Sequence, residues 1–323
     1  MSSEIFYDNE LGNANVLDKV DILTNRTEDT YTYDASIVIP CRDESVNLKN
    51  TVDSIMNSKN RLSFEIIVVD DGSTDGCCEF INNNRNAYPN LRLFTSKNLG
   101  PSAARNLGGD NALGKYIFFC DAHVTVPDYW LDKLIKTLEE NNADVVVPAI
   151  KDNVGGGVGY GETWREKLQV TWLGKPNRDG EEVALAPGGA FGLRKTAFDN
   201  IGGFERHFEV WGKEDEEISL KLWLFGYKIV VDSSVEVIHL FKLTNNYGVT
   251  HIDFMHNFLC MAFSHFGIEN LIKAFDMVKD TPGFPEALAR VMLNEDLLRQ
   301  RRDYFSRRKF DENYFFNKFD IKF

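Results

Sequence analysis

Short hydrophobic runs alternate with longer mixed stretches through most of the chain. The runs SIVIP, EIIVVDD, LRLFTS, YIFFCDAH and DVVVPAI are rich in β-branched and aromatic residues, and most of the stretches between them have helical periodicity. Further along, KIVVDSS and VEVIHLF predict two more strands, and EDEEISLKLWLFG predicts a helix that ends at Gly226. Strands that alternate with helices predict an α/β fold built on a mainly parallel, doubly wound sheet.

Three regions of the chain differ in composition and in their pattern of hydrophobic residues. Residues 1–34 hold eight acidic residues against Lys19 and Arg26, and we expect them to form an acidic N-terminal arm. Residues 35–244 carry the alternating strand and helix pattern and are predicted to form the main domain. Residues 245–323 are rich in Phe and Met and predict a helical C-terminal appendage.

Charge and cysteine content narrow the classes of function. A formal net charge of −13 excludes a general nucleic-acid binder, so a phosphate ligand must be held by a metal ion or by a few placed cations. The five cysteines form no CxxC pair, which favours reduced thiols. With no signal-peptide pattern and no apolar run near the ~20 residues of a membrane span, we expect a cytoplasmic protein without a transmembrane segment.

Two segments outside the strands have alternative interpretations. The glycine-rich string GGGVGYG at 155–161 is interpreted as a mobile lid or connector rather than as a phosphate-binding loop. The basic, aromatic segment 299–310 indicates either contact with a membrane surface or anionic acceptor, or a solvated helix face that balances an acidic protein. An aromatic stripe with helical spacing is expected in the core and consists of Phe254, Phe258, Met261, Phe263 and Phe266.

Polar residues follow three of the predicted strands, as CRDE, DGSTDG and DAH. Ligands of doubly wound sheets bind beyond the carboxyl ends of the strands, so these segments are expected to share one crevice. Asp121 and His123 lie two residues apart, which places them on one side of a strand and lets both bind one divalent ion. His239 is the third candidate ligand, although a single histidine is often an ordinary, partly buried side chain. Mn²⁺, or Mg²⁺, suits this set together with diphosphate oxygens.

The ordered set IVIPCRDE, VVDDGSTDG, AARNLG, DAH and WGKEDEE resembles the family 2 glycosyltransferases, which have the GT-A nucleotide-diphospho-sugar transferase fold. DAH, GGAFGLRK, WGKEDEEISLKLW and the later strand histidine are also similar to polypeptide N-acetylgalactosaminyltransferases. The resemblance covers residues 36–241. It implies a metal-dependent enzyme that moves a sugar from a UDP-sugar to an acceptor hydroxyl or thiol.

The resemblance also implies roles for individual residues. Asp71 is expected to contact the uracil or ribose, and Arg105 to place a positive charge near the nucleotide. The alternatives are turn or helix capping for the acidic residues and a plain exposed charge for Arg105. The full set of residues expected to contact the nucleotide sugar is Pro40, Glu44, Asp71, Arg105, Asp121, Gly189 and Trp211.

Glu214 and Asp215 open a predicted helix directly after Trp211-Gly212. An inverting transfer needs a carboxylate that removes the acceptor proton, and Asp215 is our candidate for that base, with Glu214 binding hydroxyl groups. The alternative is acidic charge that complements the dipole of a solvated helix start. The resembling N-acetylgalactosaminyltransferases retain configuration and carry an amide after the equivalent Glu, so an acid at 215 favours inversion.

The acceptor stays open at this stage. Family 2 members ordinarily carry DxD where this chain has DAH, and no lectin-like C-terminal module is visible, so neither template supplies an acceptor. A peptide or protein is the first expectation, and a glycan, a teichoic acid or a lipid-linked polysaccharide is the alternative. A nucleotide-sugar-binding module without turnover is a rival of another class. A dinucleotide oxidoreductase is disfavoured because no GxGxxG follows SIVIP.

Overall fold

A computed structural model describes residues 31–242 and 248–323. The predicted acidic arm therefore lies almost wholly outside the described residues. The described strands are β1 (Tyr33–Cys41), β2 (Phe64–Asp70), β3 (Leu91–Thr95), β4 (Gly114–Cys120), β5 (Val124–Thr125), β6 (Val145–Asp152), β7 (Val158–Gly159), β8 (Glu162–Trp164), β9 (Val170–Trp172), β10 (Glu181–Glu182), β11 (Ala190–Arg194) and β12 (Ile229–His239).

The central sheet has the strand order β10-β12-β6-β11-β4-β1-β2-β3. The pairs β1/β2, β2/β3, β1/β4 and β6/β12 are parallel, whereas β11 runs antiparallel between β4 and β6. The continuous hydrophobic runs of β1, β2, β4 and β6 are buried on both faces because helices cover the sheet. The prediction of a mixed α/β fold with a mostly parallel sheet is confirmed.

One strand prediction needs correction. The runs KIVVDSS and VEVIHLF were expected to form two strands, but they form the single strand β12, whose pairing with β6 shifts register between Asp232 and Glu236. The irregularity keeps the strand continuous while changing which side chains point inward. Beyond it Val235, Val237 and His239 are buried in alternation with exposed neighbours, so His239 reaches the strand end on the inner side.

Helices cover the faces of the sheet and form the C-terminal region. Several ends follow sequence signals: Gly226 adopts φ 86° just after a helix, and Thr250 and Asp253 form a capping box at the start of another. The helices are α1 (Val46–Asn57), α2 (Glu79–Asn83), α3 (Pro101–Asp110), α4 (Trp130–Glu140), α5 (Lys195–Ile201), α6 (Glu214–Leu224), α7 (His251–His265), α8 (Ile268–Val278), α9 (Phe284–Met292), α10 (Glu295–Arg307) and α11 (Glu312–Lys318).

The predicted helical C-terminal region is confirmed. Its helices pack against the sheet domain and share a hydrophobic core with it. One hydrophobic core contains residues of β4, β6, β11 and α6 together with residues of α7 and α11. Four of the five residues in the predicted aromatic stripe are buried there, and Phe254, 40% exposed, is the exception. The domain boundaries themselves stay predictions.

A buried ionic network joins α6 to the C-terminal helices. Oε1 of Glu217 lies 2.7 Å from Nε2 of His265 and 3.0 Å from Nζ of Lys221, and these side chains are at most 1% exposed. Lys221 also lies 3.4 Å from the hydroxyl of Tyr304 on α10. A buried charge loses water on folding, so each of these groups depends on its partners for compensation.

Replacing Glu217 with Ala should destabilise the fold strongly. The substitution leaves the buried Lys221 ammonium without its carboxylate, and breaking a buried pair in this way costs about 3–5 kcal/mol. Urea unfolding of the variant measures the loss. Lys136→Ala removes an exposed pair with Glu140 and is the control; the same loss in both variants would contradict a special role for the buried network.

The basic segment 299–310 is partly turned inward. Arg301 lies over the Phe305 ring at 4.2 Å and donates to the carbonyl of Phe263, while Arg308 donates to the carbonyl of His265 at 2.7 Å. Arg301 and Arg308 thus donate hydrogen bonds to carbonyl groups at the C-terminal end of α7. Contact with a membrane surface stays a prediction. Across the described ranges, no helix has the length and apolarity needed to span a membrane.

Candidate active site

A cavity of about 470 Å³ opens at the carboxyl ends of β1 and β4, where the end of β12 also arrives. This is the position at which doubly wound sheets bind ligands. The expected site residues Pro40, Glu44, Arg105, Asp121, His123, Gly189, Trp211, Glu214, Asp215 and His239 all line it. Residues from distant parts of the chain therefore meet in one place.

Three side chains, which we call the Asp-His-His triad, converge at the floor of the cavity. Oδ2 of Asp121 lies 3.1 Å from Nε2 of His239 and 3.8 Å from Nε2 of His123. The backbone N–H of Asp121 donates to the carbonyl of Gly189 at 3.0 Å, which fixes the strand end beside β11. A Cβ at Gly189 would stand 2.9 Å from Cδ2 of His239, so this close approach requires glycine.

The triad fits a divalent cation. One donor atom from each of Asp121, His123 and His239 lies within 4.8 Å of the others, and a carboxylate with two imidazoles suits Mn²⁺. His123 uses its other ring nitrogen, Nδ1, to contact Oε2 of Glu44 at 3.2 Å, an arrangement typical of metal-binding histidines. Nδ1 of His239 is buried and has no hydrogen-bond partner within the described parts of the chain.

Glu44 links the triad to a nearby lysine. Its Oε1 accepts a 2.6 Å hydrogen bond from Lys242, and its Oε2 faces His123. Burial raises the pKa of Glu44, but the hydrogen bonds from His123 and Lys242 outweigh burial and leave the pKa lowered. The carboxylate therefore stays ionised and orients the His123 ring.

Arg105 supplies positive charge beside Asp121 of the triad. Nη2 of Arg105 lies 3.0 Å from Oδ1 of Asp121, and the guanidinium stands 5.6 Å from the centre of the Phe204 ring. Burial raises the pKa of Asp121, yet the hydrogen bond to His239 and the charge of Arg105 lower it overall. Arg105 belongs to α3, whose N-terminal Pro101 also lines the cavity and points the positive end of the helix dipole there.

The acidic start of α6 forms the other wall. The turn before it has positive φ at Gly212 and Lys213, which swings the first helical residues toward the cavity. Oδ2 of Asp215 accepts from the backbone N–H of Gly188 at 3.0 Å, and Oε1 of Glu214 accepts from Gly212 at 2.8 Å. Oδ1 of Asp215 is buried with no hydrogen-bond partner among the residues that the structure describes. Burial raises the pKa of Asp215 to about 7.

Replacing Gly188 with Ala should impair the site while leaving the fold intact. An added Cβ would stand 2.3 Å from Oδ2 of Asp215, so the carboxylate has to move. A displacement of about 1 Å at a reacting group can lower turnover on the order of 10²-fold. Comparing turnover with the melting temperature checks this. Gly174→Ala is the control, because no atom lies within 4 Å of its added Cβ and its backbone is not left-handed; normal turnover in the Gly188 variant would contradict the placement of Asp215.

Asp71 lies outside the cavity lining. Its carboxylate is fully buried and accepts from the Ser96 hydroxyl at 2.8 Å and from the backbone N–H groups of Leu99 at 2.7 Å and Gly100 at 2.9 Å. These contacts hold the loop before α3. The expected contact with uracil or ribose is therefore not supported by the geometry and stays a prediction.

Sequence reasoning missed several lining residues. Glu162 and Trp172 come from the β8–β9 hairpin, which was not among the predicted strands, and the Phe241 ring lies tilted against His239 with ring centres 4.3 Å apart. Burial, followed by the charge of Asp215, raises the pKa of Glu162 to about 8. The segments ETW and VTW each end in a tryptophan, and these tryptophans could have indicated the hairpin in the sequence. The glycine loop 155–161 precedes it, and its role as a lid stays a prediction.

The fold of the chain is of the GT-A type. The structure of GalNAc-T7 with UDP, GalNAc and Mn²⁺ superposes with a TM-score of 0.71 at 20% identity, covering 91% of this chain and 57% of that one. TarS from S. aureus in complex with UDP-GlcNAc superposes with a TM-score of 0.58 at 18% identity, covering 82% of this chain and 83% of that one. At these identities the likeness shows the fold.

Sequence comparison adds the family. The model for glycosyl transferase family 2 matches residues 36–202, about half of the chain, and the protein belongs to that family. A second model, described as the N-terminal domain of galactosyltransferase, matches residues 181–243.

Two named proteins that are similar to this chain are polypeptide N-acetylgalactosaminyltransferases. Polypeptide N-acetylgalactosaminyltransferase 12 of Mus musculus is 31% identical over 238 residues, 65% of this chain and 41% of its own. Polypeptide N-acetylgalactosaminyltransferase 8 of Drosophila melanogaster is 30% identical over 224 residues, 64% of this chain and 38% of its own. The chain thus spans about two fifths of the length of these relatives.

Proposed function

We propose that this protein transfers a sugar from a UDP-sugar to an acceptor hydroxyl or thiol, with a divalent cation at the triad and inversion at the anomeric carbon. The observation that carries the proposal is one cavity with the Asp121, His123 and His239 donors on one wall and the Asp215 carboxylate on another. Membership of glycosyl transferase family 2 supports the sugar donor, and the similar GalNAc-T7 structure, which contains UDP and Mn²⁺, supports both the UDP and the metal.

One group of residues would stabilise the leaving diphosphate. Asp121, His123 and His239 would hold the cation, which when bound neutralises charge on the leaving diphosphate as a Lewis acid. Arg42, Arg105 and Lys242 add positive charge around the same wall of an otherwise acidic protein. These groups favour departure of the phosphate.

Residues at the start of α6 serve the acceptor. Asp215 removes the acceptor proton through Oδ1, while its Oδ2 is held by the Gly188 N–H. Glu214 binds hydroxyl groups, and Trp211, 43% exposed at the cavity rim, covers the sugar with its apolar face. An inverting transfer requires a base on the face of the sugar away from the leaving group, and we assign that role to Asp215.

We propose a peptide or protein as acceptor. A second cavity of about 580 Å³ is lined by apolar side chains of α7 and α8, including Phe258 and Met277, and by Lys213, which directly precedes Glu214. Its apolar character suits a polypeptide segment better than a carbohydrate, and the named relatives are polypeptide transferases. A glycan or lipid-linked acceptor is the rival, and a cytoplasmic location stays a prediction.

A screen of UDP-sugars by mass spectrometry tests the function. Purified protein with Mn²⁺ should release UDP from one donor, and unstructured Ser- and Thr-containing peptides should accelerate this release and gain the mass of a hexose or N-acetylhexosamine. Chelation should stop the reaction. Release stimulated only by glycan acceptors would favour the rival acceptor class. Binding of UDP-sugar with no hydrolysis or transfer under any condition would overturn the enzyme proposal.

A further inference from the structure

Three of the five cysteines form a buried cluster beside the active-site cavity. The Sγ atom of Cys78 lies 3.6 Å from that of Cys41 and 3.9 Å from that of Cys77, and all three sulfurs lie within 4.8 Å of one another. Their exposed fractions are 2%, 6% and 8%, and all are free thiols. The proposed transfer reaction uses none of them. We call these residues the thiol cluster.

The cluster is organised by two neighbouring loops. Cys41 ends β1 and pairs in register with Asp70, the last residue of β2, while Cys77 and Cys78 lie just before α2. Asp75 joins the loops, because its carboxylate accepts from the backbone N–H of Ser45 at 2.6 Å and of Cys77 at 2.9 Å. The polypeptide therefore holds the three thiols together by contacts outside the cluster.

Two of the three sulfur–sulfur distances match a metal-thiolate site. With Zn–S bonds of about 2.3 Å, a tetrahedral centre places its sulfurs about 3.8 Å apart. The observed separations of 3.6 and 3.9 Å lie on either side of this value. A disulfide would instead draw two sulfurs to about 2.05 Å and leave the third thiol unused. The threefold convergence is thus the arrangement expected for a thiophilic cation.

We propose that Cys41, Cys77 and Cys78 form a second metal site that binds a thiophilic divalent cation of the Zn²⁺ type. As each sulfur–metal bond forms, the thiol releases its proton to solvent. This site differs in donor chemistry from the triad, whose oxygen and imidazole donors suit harder cations. Because Cys41 lines the active-site cavity, the bound cation fastens the loop that carries Glu44 to the loop after β2.

Cd²⁺ titration tests the proposal without using transfer activity. The full chain, reduced and stripped of metal, should bind one thiolate-coordinated Cd²⁺ and develop the ultraviolet charge-transfer absorption of Cd–thiolate bonds. Cys77→Ser and Cys78→Ser should lose this absorption. Cys260→Ser removes a buried thiol on α7 outside the cluster and should keep it. His239→Ala, which removes a triad ligand, should also keep it.

A second measurement uses the unaltered protein. Zn²⁺ should slow alkylation of Cys41, Cys77 and Cys78 by about tenfold or more, because a metal-bound thiolate is shielded from the reagent. Peptide mapping by mass spectrometry reads each site. Absence of both the charge-transfer absorption and the protection in wild-type protein would overturn the proposal. Recovery of a Cys41–Cys78 disulfide that blocks metal uptake in protein purified with reductant would overturn it as well.

Discussion

Asp215→Asn should lower turnover by about 10²–10⁴-fold while leaving UDP binding unchanged. The amide preserves the shape of the side chain and its position beside the Gly188 N–H, but it cannot accept the acceptor proton. General-base catalysis contributes a factor of this size. Steady-state kinetics with the preferred donor, together with titration of UDP by calorimetry, separates the two effects. Turnover equal to that of the wild type would place the base elsewhere.

The pH dependence of turnover gives the same assignment a second test. The pKa of Asp215 is raised to about 7, so its carboxyl is increasingly protonated, and inactive as a base, as the pH falls below that value. The rate should therefore fall about tenfold per pH unit on the acid side. Asp215→Asn should abolish this dependence.

Glu162 supplies a matched control for the pH experiment. Its carboxyl lines the same cavity, but its pKa is raised to about 8, so it is mostly neutral where Asp215 titrates. Glu162→Gln should keep the acid-side midpoint near 7. A midpoint that disappears in Glu162→Gln and survives in Asp215→Asn would assign the base to Glu162.

His123→Ala should abolish measurable transfer. The substitution removes one triad ligand and the Glu44 contact that orients the ring. Loss of Lewis-acid stabilisation is worth several kcal/mol, and each 1.36 kcal/mol is a factor of ten, so kcat/KM should fall on the order of 10³-fold or more. Assays over a range of Mn²⁺ concentrations measure the loss.

His251→Ala is the control for this variant, because His251 is exposed at the start of α7. It should behave like the wild type. Full metal-dependent activity in His123→Ala would refute the triad as the metal site. Recovery of activity at high Mn²⁺ would show a weakened site and would agree with a ligand role.

The elements that the sequence predicted well are those with long, uniform patterns. Buried parallel strands read as continuous apolar runs, so β1, β2, β4 and β6 were evident, and the polar residues after them marked the crevice. Asp121 and His123 do meet at the site, but they lie in the turn between β4 and β5, so the expectation that they share one side of a strand is wrong. Gly226 marked a helix end in the same local way.

The remaining features depend on contacts between distant residues. His239 lies 118 positions from Asp121, so no local pattern places the two together, and the sequence made His239 only a candidate ligand. The β8–β9 hairpin has three residues in each strand, too few for a periodic signal, so Glu162 and Trp172 were missed. The thiol cluster escaped notice because Cys41 and Cys78 are separated by 37 positions and meet only through strand pairing.

The most direct test of the central claim is a crystal structure of the protein with UDP and Mn²⁺, recorded with anomalous scattering from manganese. We expect an anomalous peak bonded to Asp121, His123 and His239 and to the diphosphate. A peak elsewhere, or UDP bound with its diphosphate away from these three side chains, would contradict it.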